Sequence, residues 1–361
     1  MRILVAPDKF KGSFSGEEVA EQIAAGLKSV WPQAEIEIAP VADGGEGTAD
    51  ILSRALGGEQ VECEAHDALG RKIRGRYDWV SDSETAIMEM SAVSGLAAIW
   101  PNERNPRRAS TFGVGQMLRD ATTRGAQEII LGLGGSATND GGSGMARALG
   151  FRFLDDNETE ITAAEELQNL ARIELPNELH LPAIRAATDV RNPLLGADGA
   201  TRTFGRQKGA TPDDVEILEK ALTRLADVAA TTFCRDQRDQ SGAGAAGGLG
   251  FGLLVFCRAT LQPGFEVVAE AIDLQKKIAQ ADFVITGEGR LDRQTLSGKA
   301  PAGVAQLART AGKPVFAIVG ESRDEEATRH LFDDILPLGR ESLETRAGEL
   351  ARRLSTRFSS R

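Results

Sequence analysis

The sequence predicts an α/β protein of two domains, in which one domain is built from both ends of the chain and the other is inserted between them. Two observations support this prediction. Apolar strand-like runs alternate with amphipathic helical segments at both ends of the chain, whereas three consecutive strands with short turns follow the first end. The inserted mixed α/β domain is therefore expected to run from about residue 58 to about residue 275.

The first end of the chain has the pattern of strand, helix, strand and helix. Short strands are expected at residues 3–7 and 35–41. A helix begins between them because Ser15 and Glu18 have the spacing of a capping box, with the serine at the N-cap. The second helix ends at Gly57, since glycine suits the left-handed residue that closes a helix.

The last end of the chain repeats this alternation. Its elements follow as a strand at 282–286, a helix ending at Gly312, a strand at 314–319, a helix at 324–331, a strand at 335–338 and a helix from about Ser342. Such alternation implies a parallel sheet with helices on its faces. We therefore expect strand 3–7 to lie in the same sheet as residues 283–285 and 315–319.

The middle of the chain differs because it opens with a β-meander. The three strands of the meander are expected at residues 61–65, 72–80 and 85–90, with turn residues between them. Further along, residues 128–133 and 183–190 have the composition of buried strands. A helix begins after Thr211, which suits an N-cap and is followed by proline at the first helical position. Antiparallel strands rarely continue a doubly wound sheet, so a separate domain is expected here.

Composition and charge exclude several classes of function. The 361 residues carry a formal net charge of −11 with no dominant basic run, so nucleic-acid and anionic-membrane binding are not expected. The three cysteines lack CxxC spacing and the apolar start is too short for a signal peptide, which fits a cytoplasmic protein. Only three histidines occur, far apart in sequence, so a histidine-based mechanism is disfavoured.

Three segments rich in glycine and acidic residues adjoin apolar runs. They occupy residues 42–48, 132–142 and 286–292. Glycine lets backbone N–H groups approach an anion, and carboxylates bind hard cations such as Mg²⁺. A single segment of this kind is more often a tight turn, but three in one chain favour a site for a metal–nucleotide complex.

The common nucleotide motifs give weak or negative results. No P-loop occurs, since residues 297–300 lack both the upstream glycine and the hydroxyl residue of that motif. Residues 132–137 follow a strand and fit a dinucleotide fingerprint, which keeps a NAD-dependent 2-hydroxy-acid dehydrogenase as the alternative function. That enzyme needs an acidic residue after a second strand, where Asp155 and Asp156 lie, and its other expected residues are missing: the sole tyrosine, Tyr77, is in the meander.

Charged residues at strand ends are the other candidates for chemistry. Asp8 and Lys9 follow the first strand, where open α/β sheets bind ligands. Asp189 ends a strand beside Arg191, so it is a candidate base or metal ligand. A further set shares one loop that is longer than a strand-to-helix connection needs, and it comprises Glu288, Asp292 and Lys299. For each of these, a solvated loop or a helix cap is the simpler alternative.

Taken together, these segments resemble those of the bacterial type-one glycerate kinases, which phosphorylate D-glycerate with ATP. The resemblance runs in order along nearly the whole chain, through residues 6–13, 42–48, 67–71, 134–142, 188–196, 207–210, 242–250 and 286–299. It implies a flavodoxin-like domain made of residues 1–57 and 276–361, with residues 58–275 inserted. It also implies the cofactors ATP and Mg²⁺ and favours 2-phosphoglycerate over 3-phosphoglycerate as the product. Whether the chain forms a homo-oligomer is left open.

On this interpretation each candidate residue takes a role in phosphoryl transfer. The catalytic candidates are Asp189, Asp8 and Lys9. The candidates for binding the nucleotide are Gly134, Gly135, Ser136, Asn139, Asp140, Gly244, Gly247 and Lys299. The candidates for binding glycerate are Arg71, Arg191 and Lys208, and those for Mg²⁺ are Asp43, Glu288 and Asp292. A non-catalytic acid-binding protein is a third interpretation, but it would not need so many carboxylates beside glycine loops.

Overall fold

The computed structural model describes residues 1–10, 12–45, 47–291, 300–322 and 329–358, with side chains up to residue 355. Its strands are β1 (Arg2–Val5), β2 (Glu35–Ile38), β3 (Glu59–His66), β4 (Lys72–Val80), β5 (Thr85–Glu89), β6 (Glu128–Gly132), β7 (Arg152–Leu154), β8 (Arg172–Glu174), β9 (Ala183–Ala187), β10 (Thr260–Gln262), β11 (Phe283–Leu291), β12 (Val315–Ser322) and β13 (Asp334–Pro337).

The α-helices of these ranges are α1 (Gly16–Val30), α2 (Thr48–Leu56), α3 (Ser91–Ser94), α4 (Phe112–Arg124), α5 (Ser143–Ala148), α6 (Ala200–Phe204), α7 (Pro212–Phe233), α8 (Ala245–Phe256), α9 (Gly264–Ala271), α10 (Leu274–Gln280), α11 (Ala300–Thr310) and α12 (Leu343–Phe358). Short 3-10 helices occur at Leu96–Ala98, Pro101–Glu103, Ala164–Asn169, Arg206–Lys208 and Arg329–Leu331. None of the helices in the described ranges is both long and apolar enough to cross a membrane.

The chain divides into two compact units. The first unit comprises Met1–Asp43 and Pro263–Arg361, and the second comprises Gly44–Gln262. The sequence analysis placed the corresponding boundaries near residues 58 and 275. The division differs from them because α2 packs against β4 and β5, whereas α10 packs against β1 and α11.

The first unit contains a five-stranded parallel sheet with the order β2-β1-β11-β12-β13. This is the 2-1-3-4-5 order of flavodoxin-like sheets, and the carboxyl ends of its strands share one edge. β1 pairs with both β2 and β11, and β11 pairs with β12, so the strands from the two ends of the chain lie in one sheet as predicted. The core of this unit packs the apolar faces of α1 and α12 against the sheet.

The helix starts of the first unit follow their local sequence signals. Ser15 accepts a hydrogen bond from the backbone N–H of Glu18, and the Glu18 carboxylate accepts one from the N–H of Ser15 at 2.8 Å, which confirms the capping box. α1 packs against α12 at Gly26, where any side chain would overlap the backbone of Glu344. The helix predicted at residues 324–331 lies mainly outside the described residues, which begin again at the 3-10 turn Arg329–Leu331.

The second unit contains a six-stranded mixed sheet with the order β3-β4-β5-β6-β9-β10. β3, β4 and β5 pair antiparallel, as the predicted meander requires, while β5, β6, β9 and β10 pair in parallel. The meander and the buried strands therefore belong to one sheet. Because β3 and β5 run in the same direction as β6 and β9, the carboxyl ends of all these strands meet at one edge.

Candidate active site

In the first unit, three carboxylates gather at the carboxyl edge of the parallel sheet. Asp8 lies just beyond β1, where its N–H donates to the carbonyl of Gly287 at 2.8 Å. Its Oδ1 accepts a hydrogen bond from the N–H of Lys9 at 2.7 Å. The side chain of Asp8 is only 7% exposed and that of Glu288, on β11, only 5%. Asp43 lies close enough for its charge to act on Asp8.

This arrangement disfavours the charged form of the Asp8 carboxyl group. Burial, followed by the negative charge of Asp43, raises the pKa of Asp8 from 3.8 to about 7, although the N–H and charge of Lys9 oppose the shift. A carboxyl group with such a pKa can take or release a proton near neutral pH. A divalent cation beside these three oxygen-bearing side chains would relieve the same repulsion.

The predicted magnesium ligands stay a prediction. Across the described part of the chain, no group of three His, Cys, Asp or Glu side chains is arranged to hold a metal ion. Asp292, the third predicted ligand, and Lys299, predicted to bind the nucleotide, both lie outside the described residues. Asp43 and Glu288 are found near Asp8, which is compatible with a set completed by another ligand.

In the second unit, strand register brings other predicted residues to the carboxyl edge of the mixed sheet. Glu89 of β5 is level with Gly132 of β6, and Gly132 is level with Ala187 of β9. The residues that follow these strands, including the predicted Gly134 and Asp189, therefore lie along one edge. Such an edge is where open α/β sheets bind their ligands.

The exposed part of the glycine segment presents free backbone donors. Gly135 is exposed and has a left-handed backbone with φ +72°. The segment is fixed on both sides, because the N–H of Leu96 donates to the carbonyl of Gly135 at 2.8 Å and the N–H of Ala137 donates to Ser94 at 2.9 Å. Within the described residues, the N–H groups of residues 134–136 donate no hydrogen bond. Three successive free amides can donate hydrogen bonds to an anion such as a phosphate.

The following residues of the segment are buried, and Asp140 ties them to the two helices α4 and α5. Its carboxylate accepts hydrogen bonds from the N–H and the hydroxyl of Thr111 at 2.8 and 2.9 Å, from the N–H of Gly142 at 3.1 Å and from the N–H of Gly144 at 3.2 Å. Burial raises the pKa of Asp140, and these hydrogen bonds act against that rise. The network gives Asp140 a structural role, so its assignment to the nucleotide stays a prediction.

Asn139 is buried beside Asp140. Its Nδ2 donates to the hydroxyl of Thr201 at 2.9 Å, whereas its Oδ1 has no hydrogen-bond partner among the described residues. Buried amide oxygens normally have a partner, so this atom is an unused acceptor close to the predicted nucleotide segment.

Gly244 and Gly247 are buried, and close backbone packing explains why both are glycine. A Cβ atom at Gly247 would overlap the carbonyl oxygen of Thr138, and one at Gly244 would overlap that of Pro193. The N–H of Gly141 donates to the carbonyl of Gly247 at 3.1 Å, so the two predicted glycine segments pack on each other. Their predicted contact with the nucleotide is untested.

Lys208 is a buried cation behind the glycine segment. Its side chain is 1% exposed, and its Nζ donates to the carbonyl of Thr138 at 2.7 Å. Burial lowers the pKa of Lys208 from 10.5 to about 7, although the nearby charge of Asp140 acts in the opposite direction. The sequence pattern led us to assign this residue to glycerate, and the contact with Thr138 indicates a second role, which is to support the segment.

The other charged candidates lie in loops near the same edge of the sheet. Arg71 donates to Asp67 at 2.5 Å and to Glu103 at 3.2 Å, so part of its guanidinium is already engaged. Arg191 is exposed, two residues beyond the half-buried Asp189. The assignments of these residues to glycerate and to catalysis stay predictions.

Sequence reasoning missed Glu89, which ends β5. Its carboxylate accepts hydrogen bonds from the N–H groups of Gly47 and Ala49 at 2.9 and 3.2 Å, so it caps the start of α2. A carboxylate at a strand end was the available signal, but only the fold places it beside a helix N-terminus 40 residues earlier in the chain.

The geometry removes the basis of the dehydrogenase alternative. A dinucleotide site needs an acidic residue at the end of a neighbouring parallel strand. Asp155 instead follows β7, which belongs to a separate two-stranded sheet with β8. Its Oδ1 accepts hydrogen bonds from the N–H groups of Asn157 and Thr159, so this carboxylate closes a turn. Tyr77, on β4 of the meander, donates to Asp120 of α4.

Comparison with known proteins agrees with the fold and the motifs. The model of the glycerate kinase family matches residues 3–354. A glycerate kinase of Bacillus subtilis (strain 168) is 45% identical over 94% of this chain and 90% of its own length. A glycerate 2-kinase of Escherichia coli (strain K12) is 40% identical over 91% of this chain and 88% of its own length.

The similarity extends to three dimensions. A crystal structure from Salmonella typhimurium LT2, provisionally named glycerate kinase 2, superposes with a TM-score of 0.90 at 40% identity and covers 99% of each chain. Since the family model and several relatives span nearly the whole sequence, the chain belongs to the glycerate kinase family.

Proposed function

We propose that this protein transfers the γ-phosphoryl group of ATP to a hydroxyl group of D-glycerate and that the product is 2-phosphoglycerate. Family membership supports the kinase activity, and the name of the Escherichia coli relative, glycerate 2-kinase, supports the choice of product. The structural observation that carries the proposal is the run of backbone amides at residues 134–136, which donate no hydrogen bond within the described residues and lie at and beside the exposed Gly135, on the carboxyl edge of the mixed sheet. We also propose a cytoplasmic location.

Phosphoryl transfer asks the protein mainly for placement and charge stabilisation. The amides of residues 134–136 would hold phosphate oxygens, and Arg191 would pair with the carboxylate of glycerate. Asp189 would accept the proton of the attacking hydroxyl, since it lies at the end of β9 on the same edge as the glycine segment.

Mg²⁺ would bind at the acidic side chains of the first unit, with its set of ligands completed by another group. Asp8, Asp43 and Glu288 offer only oxygen ligands, which is what this hard cation prefers. Burial, with the negative charges of Asp43 and Glu288, raises the pKa of Asp8, and a bound cation would lower it. When bound, Mg²⁺ would supply positive charge of the kind that phosphoryl transfer requires.

The activity is tested with purified protein. ATP consumption should require both D-glycerate and Mg²⁺, and the product should be converted by enolase, which accepts 2-phosphoglycerate and not 3-phosphoglycerate. Formation of ADP with a product that enolase does not convert would contradict the proposed position of phosphorylation. Reduction of NAD by glycerate without formation of ADP would overturn the kinase proposal as a whole.

The role of Asp189 is tested by Asp189→Asn, which keeps the size of the side chain but removes the base. We expect kcat to fall by at least about 10² with little change in melting temperature, because general-base help typically contributes that much. Asp198→Asn is the matched control, since Asp198 is an exposed carboxylate in the following loop. Near-normal kcat with Asp189→Asn would move the proposed base to Asp8.

A further inference from the structure

A cavity of about 400 Å³ lies in the second unit, between the carboxyl-terminal ends of α7 and α8. Its apolar lining comes from Phe233, Leu254 and Val255, and its polar lining comes from Arg235, Arg258 and Gln237. Pockets that bind small molecules commonly have this size and this mixture of apolar walls with few polar groups. None of these residues belongs to the candidate active site.

The two arginines give the cavity an uncompensated positive charge. Neither Arg235 nor Arg258 forms an ion pair within the described residues, although the chain as a whole carries a net charge of −11. With its oxygen turned toward Arg235, the amide of Gln237 accepts hydrogen bonds from Arg235 Nε at 2.5 Å and from an Nη at 3.1 Å. Gln237 is 3% exposed, so a buried amide fixes the position of this guanidinium at the cavity.

The backbone conformation of Arg258 is a further indication that its side chain has a role at the cavity. Its φ is +53°, in the left-handed region that follows many helices and that glycine normally occupies. An arginine there is less favourable than glycine by its backbone alone. The strain is compatible with a side chain that must be held at the rim of the cavity.

We propose that this cavity is a second ligand site, which binds a small organic acid with an apolar body. Arginine recognises a carboxylate through two parallel hydrogen bonds, and the apolar wall would cover the rest of the molecule. The site is distinct from the candidate active edge, because Arg258 and Ala259 directly precede β10, which is parallel to β9, and so lie at the amino ends of these strands rather than at their carboxyl edge.

A simpler role for the arginines is to stabilise the carboxyl ends of the two helices, which carry partial negative charge. The two explanations differ in what they predict. If the arginines only stabilise helix ends, their loss lowers stability and the cavity binds no acid. If they form a ligand site, an acid of suitable shape binds the folded protein and depends on them.

Isothermal titration with benzoate tests the proposal, using acetate as the probe without an apolar body and benzyl alcohol as the probe without charge. We expect benzoate to bind with one site per chain and both control probes to bind at least tenfold more weakly. ATP and D-glycerate should not displace benzoate. Displacement by either would place benzoate at the candidate active site and overturn the proposal.

Two variants and a control locate the site. Arg258→Gln should weaken benzoate binding by at least about tenfold, since a hydrogen bond to a charged group is lost. Leu254→Trp should block binding by filling the cavity without changing its charge. Arg74→Gln, at an exposed position on β4, should bind benzoate like the unmodified protein. Absence of benzoate binding, or unchanged binding by Arg258→Gln in a folded variant, would overturn the proposal.

Discussion

Replacing Lys208 by methionine measures the cost of burying its charge. Methionine fills a similar volume and remains apolar, so the substitution removes the ammonium group that contacts the carbonyl of Thr138. The side chain is 1% exposed, and burial lowers its pKa from 10.5 to about 7. We expect the stability difference between the unmodified protein and Lys208→Met to depend on pH for this reason.

The sign and size of the effect follow from that pKa. Folding lowers the pKa of Lys208, so its contribution to the free energy of unfolding is complete only above the pKa of an unfolded lysine, near 10.5. This contribution is lost as the pH falls to about 7. The free energy of unfolding changes by about 1.4 kcal/mol per pH unit between these two pKa values, so the total loss is about 5 kcal/mol. Below the lower pKa the loss stays constant. Between pH 7.5 and 9.5, the unmodified protein should gain about 2 to 3 kcal/mol relative to Lys208→Met.

Urea unfolding of both proteins at several pH values checks this slope. The matched control is Lys220→Met on the exposed face of α7, where the same change of residue buries no charge. A difference between the unmodified protein and Lys208→Met that does not change with pH would refute the reasoning. It would indicate that Asp140 compensates the buried ammonium as an ion pair.

Steady-state kinetics on the same variant separate the two roles of Lys208. If Lys208 supports the glycine segment through Thr138, its loss should lower kcat and raise the KM for ATP, with a smaller effect on the KM for D-glycerate. If it contacts the substrate, as the sequence pattern predicted, the KM for D-glycerate should rise most. This test depends on the proposed kinase activity, whereas the pH dependence of unfolding does not.

Two further predictions concern backbone packing and helix capping. Gly247→Ala should destabilise the protein by more than about 2 kcal/mol, because its Cβ would overlap the carbonyl of Thr138. The control is Gly57→Ala, which has a similar φ and open space around it, so it should cost only the backbone strain of about 1 kcal/mol. Ser15→Ala should cost about 1 kcal/mol by removing the cap that receives the N–H of Glu18, and Ser15→Thr should retain most of it; equal urea midpoints for the Ser15 variants would contradict this.

The sequence predicted the fold well wherever one physical signal decides the local structure. Apolar patterning was sufficient for α1, which buries one face in the core of its unit, and for β1, β11 and β12, whose consecutive residues are buried on both faces of the sheet. The boundary of the inserted unit was less predictable. α2 continues the alternation of the first end in sequence, yet it packs against β4 and β5, and no local pattern reports such a tertiary contact.

The candidate site was predictable at the level of segments and not at the level of single glycines or charges. A glycine that exposes its amide to a ligand and a glycine that lets two backbones touch look the same in sequence. Gly135 is exposed, as the first kind requires, and Gly247 is of the second kind, which only the exposure of the one and the crowding of the other reveal. The burial of Lys208 was equally hidden, because most lysines are exposed.

The division of the glycine segment into an exposed and a buried part bears on the proposed function. Free amides stabilise an anion best when they already point at it before it binds, since no energy is then spent on ordering them. Here residues 134–136, of which Gly135 is exposed, are anchored by the backbone hydrogen bonds of Leu96 and Ala137, and the buried turn behind them is fixed by Asp140 and Lys208. Both buried charges are thus better explained as supports that preorganise the amides than as groups that contact the phosphates directly. On this view, substitutions of Asp140 or Lys208 should weaken nucleotide binding, although residues 134–136 themselves are unchanged.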